Sequence, residues 1–458
     1  MDRVLDILSS YGVALNYRDL PDGVIHKAKR LVIDTLGCAM GSYAMRPAKI
    51  ARDHALEVTS APGATVLGTR HQTSPELAAF ANGVMARYLD FNDTSVAGTG
   101  GHPSDNIMGV LAAAEYAGAD MQTTIAGIVL AYEVHDRFGT ACSAVRSNGW
   151  DNAVYVVVAS AAGAGKVLGL GKEQMANALA LAAVANASMN QTRVGGLSMW
   201  KGCAAANGAR NGVFAALMAR RGLTGPAQAF EGRLGYGKQL GTPVDLPAFG
   251  GGDIPFTIES AKFKCFPCDY EAQCCITPAL ELHKVLCGQL DEIEKIDIET
   301  YDFAVKIAAD TPDKWNPVSR ETADHSIPYV IAVALMRGAV WLDDFSVERI
   351  RDPRVNALMQ KIQVRATVEF AKEWPESFPF RITVTTKSGL KHVQEVRYAK
   401  GHPKNPMTDD EVDAKFRKLA EPALGPGATS NALSHLWHLE DLRSVREMLA
   451  HFVVNAAH

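Results

Sequence analysis

The apolar residues of this chain follow two different periods, and the change between them constrains the fold more than any other feature. Up to about residue 260 the spacing is helical, and alanine-rich stretches around 153–190 and 203–220 allow close helix packing. A clear helical run is Val24, Ala28, Leu31, Thr35 and Leu36. The proline- and glycine-rich passage Gly241 to Pro255 then indicates a linker. The first part is therefore predicted to be helical.

Beyond this passage, alternating apolar residues predict strands, with helices between them near 270–288 and 322–338. The predicted strands are Ile296 to Thr300, Phe303 to Ile307, Ile362 to Val368 and Phe380 to Thr385, the last joined through Lys387-Ser388-Gly389 to His392 to Arg397 as a hairpin. This second part is predicted to be α+β. Helices return at the end, where Thr408 to Glu411 forms a capping box and Leu433 to Val453 predicts a further helix.

Composition favours a globular protein that acts on small molecules. The 458 residues are 47% hydrophobic, enough for two or three domains with large cores. Net charge is −4, from 46 Lys+Arg and 50 Asp+Glu without blocks of like charge, so neither nucleic acid nor a membrane surface is an expected partner. The N-terminus lacks the basic and apolar regions of a signal peptide, and we expect a cytoplasmic protein.

Four of the eight cysteines form a cluster that has to be weighed as a metal site. Cys265 and Cys268 are spaced as C-x2-C, and Cys274 and Cys275 follow as a pair, a pattern that could indicate zinc or an iron–sulfur cluster. Adjacent cysteines are poorly placed to ligate one ion tetrahedrally, and no second C-x2-C completes the set. Reduced structural thiols are favoured, and no metal is predicted.

Tyr88 to Asn106 gathers acids, a base and hydroxyls around the glycines Gly98, Gly100 and Gly101. Helical spacing through Phe91 predicts Asp90 and Asp93 near one another at a helix end, and Ser104 as the N-cap of the next helix. His102 would serve as a general base or bind a substrate carboxylate, unless it only caps the turn before Pro103. The two acids could equally be solvated, and Thr94 could donate to a substrate or merely close the turn.

Three further groups hold candidate site residues. The first runs from Gln191 and Arg193 to Lys201 and Arg210 and contains Gly195 and Gly196. Its three cations are what binding several carboxylates would require, although a single surface cation is usually only solvated. The second lies at the predicted domain junction, where ligand sites are common. The third is Asp151, an acid before a long apolar helix that could equally be a helix cap. In sequence order these candidates are Asp151, Gln191, Arg193, Lys201, Arg210, Lys264, Asp269, Glu271 and Gln273.

Several common catalytic motifs are missing from the chain. It has no H-E-x-x-H and no G-x-S-x-G, and Gly163-Ala164-Gly165-Lys166 lacks the upstream glycine and the following Ser/Thr of a phosphate-binding loop. We predict that these glycines are helix-packing positions. The sequence does not indicate a nucleotide cofactor.

At these candidate residues the chain resembles the MmgE/PrpD family. The resemblance runs over nearly the whole chain and is carried by Leu89 to Thr94, Gly101 to Asn106, Gln191 to Arg193, Met199 to Ala206 and Ala323 to Tyr329. It implies a mainly α fold, with a large all-helical domain formed by residues 1–262 and 403–458 and an inserted α+β lid of residues 263–402. It also implies a homodimer that acts on small polycarboxylates without metal or organic cofactor.

The resemblance further implies a branch of the family. Decarboxylases of the family have histidines at the positions of Asp151 and Asp269, whereas its dehydratases have acids there, and the long Ser95 to Gly101 spacer also matches the dehydratases. Glu271 departs from the pattern, because the dehydratases have histidine at that position. The implied activity is loss of water from a 2-hydroxy tricarboxylate, such as 2-methylcitrate or citrate. Decarboxylation, epimerisation and silent polycarboxylate binding are the alternatives.

For that reaction we predict proton transfer by Asp93 and His102, with Asp151 and Asp269 as the other catalytic candidates. Which group is the base and which the acid stays open. The remaining residues are predicted to bind or position the substrate, namely Asp90, Thr94, Gln191, Arg193, Lys201, Arg210, Lys264, Glu271 and Gln273.

Overall fold

A computed structural model describes residues 1–97 and 100–455, and Gly98 of the predicted glycine turn lies outside the described residues. The chain forms two compact units. The helical unit comprises Met1–Arg193, Trp200–Ala261 and Thr408–His458, and the α+β unit comprises Val194–Met199 and Lys262–Met407. The prediction of a mainly helical chain is confirmed. Whether residues 263–402 form a separately folding lid remains a prediction.

The elements in chain order are as follows. The first ten helices are α1 Arg3–Ala14, α2 Asp22–Gly41, α3 Arg46–Leu56, α4 Pro75–Arg87, α5 Ile107–Ala117, α6 Met121–Ala141, α7 Ala153–Val167, α8 Lys172–Ala185, α9 Ala204–Arg220 and α10 Tyr236–Leu240. The helices of the α+β unit are α11 Tyr270–Leu286, α12 Asp302–Ala308, α13 Pro312–Trp315, α14 Arg320–Ala323, α15 Ile327–Arg337, α16 Val347–Ile350, α17 Pro353–Met359 and α18 Val368–Ala371. The last three are α19 Asp409–Leu424, α20 Pro426–Trp437 and α21 Val445–Leu449. The strands are β1 Ala64–Thr65, β2 Gln72–Thr73, β3 Ile293–Thr300, β4 Ile362–Ala366, β5 Phe380–Thr386 and β6 Lys391–Val396.

Small residues let the central helices of the helical unit approach closely, as the alanine-rich sequence predicts. A Cβ at Gly163 of α7 would lie 2.8 Å from the carbonyl oxygen of Gly127 in α6. A Cβ at Gly212 of α9 would lie 2.6 Å from the carbonyl oxygen of Val157 in α7. Gly163 is therefore a helix-packing position, as predicted. Among the helices of residues 1–97 and 100–455, none is both long enough and apolar enough to cross a bilayer.

We expect Gly212→Ala to destabilise the protein, because its Cβ would meet backbone atoms of α7 that can move only if the helices separate. Overpacking of this kind costs about 1–3 kcal/mol. Gly23→Ala in α2 is the matched control, since a Cβ there meets nothing within 4 Å and alanine favours helix by about 1 kcal/mol. Thermal unfolding midpoints should fall for the first variant and hold or rise for the second. Equal midpoints would contradict the packing argument.

The α+β unit contains a four-stranded sheet in the order β4-β3-β5-β6, with β3 parallel to β4 and the other pairs antiparallel. The predicted hairpin is confirmed, because β5 pairs with β6 from Phe380 opposite Val396 to Thr385 opposite Lys391. The strand predicted at Phe303 to Ile307 is wrong, because that segment is α12. Its buried residues are Ala304 and Ala308, one helical turn apart, and their spacing outweighs the short alternation of larger side chains.

At the C-terminus of the chain the capping box is confirmed. Thr408 N donates to Glu411 Oε2 at 2.7 Å, and Glu411 N donates to Thr408 Oγ1 at 3.2 Å. The single helix predicted over Leu433 to Val453 is wrong, since α20 ends at Trp437. A new helix, α21, begins after Ser444, whose hydroxyl accepts from Glu447 N. A serine that caps a new helix N-terminus competes with continuation of the old one.

Candidate functional site

The turn after α4 holds a buried ion cluster centred on Asp90. This residue has φ 50°, a left-handed conformation that aspartate tolerates better than most residues. Its carboxylate lies 2.5 Å from Arg87 Nη1 and 3.1 Å from Lys201 Nζ, and His102 Nε2 lies 3.9 Å away. Arg87, Asp90 and Lys201 are all buried. Two cations meet one carboxylate here, and these charge-assisted contacts hold the turn in its left-handed conformation.

His102 is oriented by the backbone of the same turn. Its Nδ1 lies 2.6 Å from the carbonyl oxygen of Asp93, which can only accept. Neutral His102 therefore carries its proton on Nδ1, and Nε2 bears the lone pair that a general base needs. The side chain is 11% exposed, so a small molecule can reach it. Of the predicted site residues, His102 best combines orientation with access.

The side chain of Asp93 is held by the uncharged donors Ser104 and Tyr132. Its Oδ1 accepts from Ser104 N at 3.1 Å and Ser104 Oγ at 2.6 Å, and its Oδ2 accepts from Tyr132 Oη of α6 at 2.7 Å. Burial raises the pKa of the Asp93 carboxyl, and these hydrogen bonds offset only part of the rise. Asp93 and Asp90 thus lie beyond the end of α4 and bind different partners. The prediction that Ser104 is the N-cap of the next helix is wrong. Ser104 lies inside a 3-10 helix, Pro103–Asn106, that precedes α5, and the Ser104 hydroxyl donates to Asp93.

Thr94 closes the loop that follows Asp93. Its hydroxyl donates to the carbonyl oxygen of Gly101 at 3.0 Å, and Ser95 and Gly101 exchange backbone hydrogen bonds. The turn-closing alternative for Thr94 is the one that this geometry favours. The hydroxyl oxygen can still accept from a ligand, but its proton is already used.

Asp151 and Arg193 form a second buried ion pair in the helical unit. Arg193 Nε lies 2.5 Å from Asp151 Oδ2, and its Nη2 lies 3.2 Å from Oδ1. Burial acts to raise the pKa of Asp151, but the Arg193 charge and hydrogen bonds outweigh it and the pKa is lowered. The carboxylate also accepts from Ala153 N at 2.8 Å, so Asp151 binds the first backbone N–H of α7 as well as Arg193. An acid with a lowered pKa is a poor proton donor at neutral pH.

Gln191 and Arg210 line separate cavities of the helical unit. Gln191 borders a cavity of about 330 Å³ with Thr192 and Trp200. Arg210 is exposed on α9, donates to Asn207 Oδ1 at 3.3 Å, and borders a different cavity with Phe214. The predicted cationic constellation is therefore divided in the structure.

In the α+β unit, Asp269 and a histidine outside the predicted set form a polar group. Asp269 caps α11 by accepting from Glu271 N at 3.0 Å. Its Oδ2 lies 3.5 Å from His325 Nε2, and His325 Nδ1 lies 2.5 Å from Asp324 Oδ1. A histidine between two carboxylates can exchange protons with either of them. The sequence signal was available, because Asp324 and His325 lie within a block that resembles the family.

The other predicted residues of this unit are buried among interacting neighbours. Lys264 is buried, and the buried Glu271 accepts a hydrogen bond from Tyr301 Oη. Gln273 holds the preceding loop, since its Oε1 accepts from the backbone of Cys265 and Phe266 at 3.0 and 3.1 Å. Burial raises the pKa of the thiols of Cys268, Cys274 and Cys275. Groups that resist ionisation suit packing better than metal ligation.

Three residues near Asp90 and Asp93 were missed from the sequence. Arg87 and Tyr132 lie on helix faces where arginine and tyrosine are ordinary residues. Asp105 is buried, accepts from Asn92 Nδ2 at 3.0 Å and lies 3.7 Å from Arg87 Nε. No spacing in the sequence marks Asp105 as part of a buried network, because an acid in a first helical turn is ordinarily only a favourable charge.

Comparison with known proteins agrees with the resemblance seen in the motifs. The sequence profile of the MmgE/PrpD N-terminal domain matches residues 6–247, and that of the C-terminal domain matches residues 266–439. The 2-methylcitrate dehydratase of Salmonella typhimurium is 30% identical over 376 residues, which cover 78% of this chain and 76% of that protein. The mitochondrial 2-methylcitrate dehydratase of Yarrowia lipolytica is 30% identical over 433 residues, 88% of this chain and 80% of that protein.

A relative with a different activity is also similar. The cis-aconitate decarboxylase of Homo sapiens is 27% identical over 442 residues, 92% of this chain and 89% of that protein. The two profiles together span most of the chain, and both halves of the resemblance carry residues described above. The chain belongs to the MmgE/PrpD family.

Proposed function

We propose that this protein is a hydro-lyase that eliminates water from a 2-hydroxy tricarboxylate such as 2-methylcitrate or citrate. The observation that carries the proposal is the orientation of His102, whose Nε2 bears the lone pair and lies beside a buried cluster with two cations. The curated relatives named 2-methylcitrate dehydratase support the same reaction. A base next to fixed positive charge is what removal of a proton beside a carboxylate requires.

In the proposed reaction, His102 Nε2 takes the proton from the carbon next to a substrate carboxylate. The electron pair of that C–H bond forms the double bond and the C–O bond breaks. The hydroxyl leaves as water with a proton from a general acid, for which the pair of Asp269 and His325 is proposed. Lys201 and Arg87 favour the negative charge that develops on the carboxylate. The fully buried Asp93 is proposed as a positioning residue, since its carbonyl orients His102.

Asp269 remains a proposed catalytic residue, with His325 as the group that could exchange a proton with it. Asp151 is the weaker candidate for the acid because its pKa is lowered. Lys264, Arg193 and Gln191 remain proposed substrate-binding residues. Decarboxylation of a cis-aconitate-like acid is the second candidate, favoured by the similarity to the human decarboxylase.

A panel of polycarboxylates followed by proton NMR tests the proposal. We expect 2-methylcitrate or citrate to yield an unsaturated tricarboxylate with loss of one water, and no release of CO2. A dicarboxylate with CO2 would establish decarboxylation instead, and inversion of one centre would establish epimerisation. Saturable binding without turnover of any acid in the panel would identify a silent binding protein and overturn the proposal.

A further inference from the structure

Two buried carboxyl groups of the helical unit are joined by an unbroken line of hydrogen bonds. Asn92 Nδ2 donates to Asp105 Oδ1 at 3.0 Å and to Ser104 Oγ at 2.8 Å. Ser104 Oγ in turn donates to Asp93 Oδ1 at 2.6 Å. Asn92 and Ser104 are fully buried, so water does not separate the two carboxyls. A change of charge at one carboxyl is therefore felt at the other through two bridging groups in a medium of low dielectric.

The charges around this pair do not balance two carboxylates. Among the described residues, the side chain of Asp93 accepts from the neutral groups of Ser104 and Tyr132 only. Arg87 Nε lies 3.7 Å from Asp105 Oδ1, but Arg87 Nη1 lies 2.5 Å from Asp90 Oδ1. Arg87 and Lys201 thus supply two positive charges to three carboxyl groups, those of Asp90, Asp93 and Asp105. Ionising all of them together would bury uncompensated negative charge.

Charged groups on the neighbouring elements also affect the pKa values of Asp93 and Asp105. Burial raises the pKa of Asp105 to about 7, with Arg87 and Arg193 lowering it and Asp93 raising it. Asp34 of α2 adds to the rise in the pKa of Asp93. Within residues 1–97 and 100–455, the titratable and charged groups that face the pair, directly or through one partner, include Lys27, Arg30, Asp34, Arg87, Asp90, His102, Tyr132, Asp136, Asp151, Arg193, Lys201 and Lys415.

We propose that Asp93 and Asp105 hold one proton between them at neutral pH, and that Asp105 is a positioning residue that sets the charge of Asp93 next to His102. Two like charges that share a buried network titrate as a pair, so one proton is retained well above the usual range for aspartate. Where activity is concerned the inference rests on the proposed function, because Asp93 orients the proposed base. The protonation itself does not depend on the reaction.

Infrared difference spectra of the whole protein between pH 5 and pH 9 test this inference. A protonated carboxylic acid has a C=O stretching band that a carboxylate lacks. We expect the wild type to lose such a band with a midpoint near pH 7. Asp105→Asn keeps an oxygen that can accept from Asn92 but removes the charge, so the midpoint should fall by about one pH unit or more. Asp93→Asn should lower the midpoint of Asp105 in the same way.

Asp245→Asn is the matched control, because that aspartate is exposed beside Arg3 and should leave the band unchanged. The inference is overturned if the wild type shows no titrating band. It is also overturned if the band midpoints of Asp105→Asn and Asp93→Asn both equal that of the wild type. Having two variants keeps the test decisive if one of them does not fold. A normal band shift in a protein inactive on every acid would overturn the proposed function but leave this inference standing.

Discussion

His102→Ala is expected to lower kcat by at least about a hundredfold on the acid that the panel identifies. General acid–base groups contribute about 10²- to 10⁴-fold to the rate. Among the candidate residues of the helical unit, His102 is the histidine, and its tautomer is fixed while its side chain stays partly exposed. Because Nδ1 is held by the Asp93 carbonyl, Nε2 cannot be replaced by the other nitrogen. The loss should fall on kcat more than on KM, since the imidazole acts on the proton and not on the bound carboxylates.

The measurement is steady-state turnover of the folded variant, with unfolding midpoints compared to the wild type. His54→Ala is the matched control, because that histidine is 61% exposed, pairs with Glu57 and lies outside the candidate site. The control should retain full turnover. Near-normal turnover by His102→Ala would remove His102 as the base and return the role to the acids of the predicted set.

Local features of this fold were predictable because their causes lie within a few residues. The capping box at Thr408 needs only Glu411 three residues later, and the β5–β6 hairpin needs only a glycine turn between two alternating runs. The Tyr88 to Asn106 segment was identified because its acids, histidine and glycines are close in sequence. Its internal contacts, such as His102 with the Asp93 carbonyl, join residues 9 apart.

Contacts that join distant segments were not predictable from one sequence. Tyr132 reaches Asp93 across 39 residues, and Lys201 reaches Asp90 across 111. In the sequence, Tyr132 is an ordinary helical tyrosine, and Lys201 is a lysine that would normally be solvated. Tyr132 and Lys201 are buried because of which helices pack together, and the spacing of apolar residues along the sequence does not determine that packing. The same limit explains α12, where the alternation of Phe303, Val305 and Ile307 gave no sign that the two smaller residues, Ala304 and Ala308, would be the buried ones.

The largest expected loss of stability comes from Lys415→Met in α19. Lys415 Nζ lies 2.6 Å from Asp34 Oδ1, donates to the carbonyl oxygen of Phe91 at 2.8 Å, and lies 3.9 Å above the Phe91 ring. Removing one partner of a buried ion pair costs about 3–5 kcal/mol. We expect the lower end of that range, because the charges of Lys27 and Arg30 also act on Asp34. Phe91 lies between Asp90 and Asp93, so turnover should fall as well.

The pH dependence of this loss distinguishes a charge effect from lost packing. Burial already raises the pKa of Asp34, and Lys415 is the main group that opposes the rise. Without Lys415 the native pKa should rise further above its unfolded value, so native Asp34 binds a proton that the unfolded chain releases. The stability of the variant should therefore increase as the pH falls toward 5. The difference from the wild type should shrink in acid and be largest near pH 8.

The double variant Asp34→Leu with Lys415→Met completes the test. Replacing both buried charges with apolar side chains leaves no unpaired carboxylate, so most of the lost stability should return. Lys49→Met is the control, since Lys49 is 63% exposed and its pair with Asp53 on α3 contributes little. Unfolding midpoints of the four proteins decide the matter. If the double variant is no more stable than Lys415→Met, an unpaired Asp34 charge does not explain the loss, and the lost contacts of Lys415 with Phe91 become the better explanation.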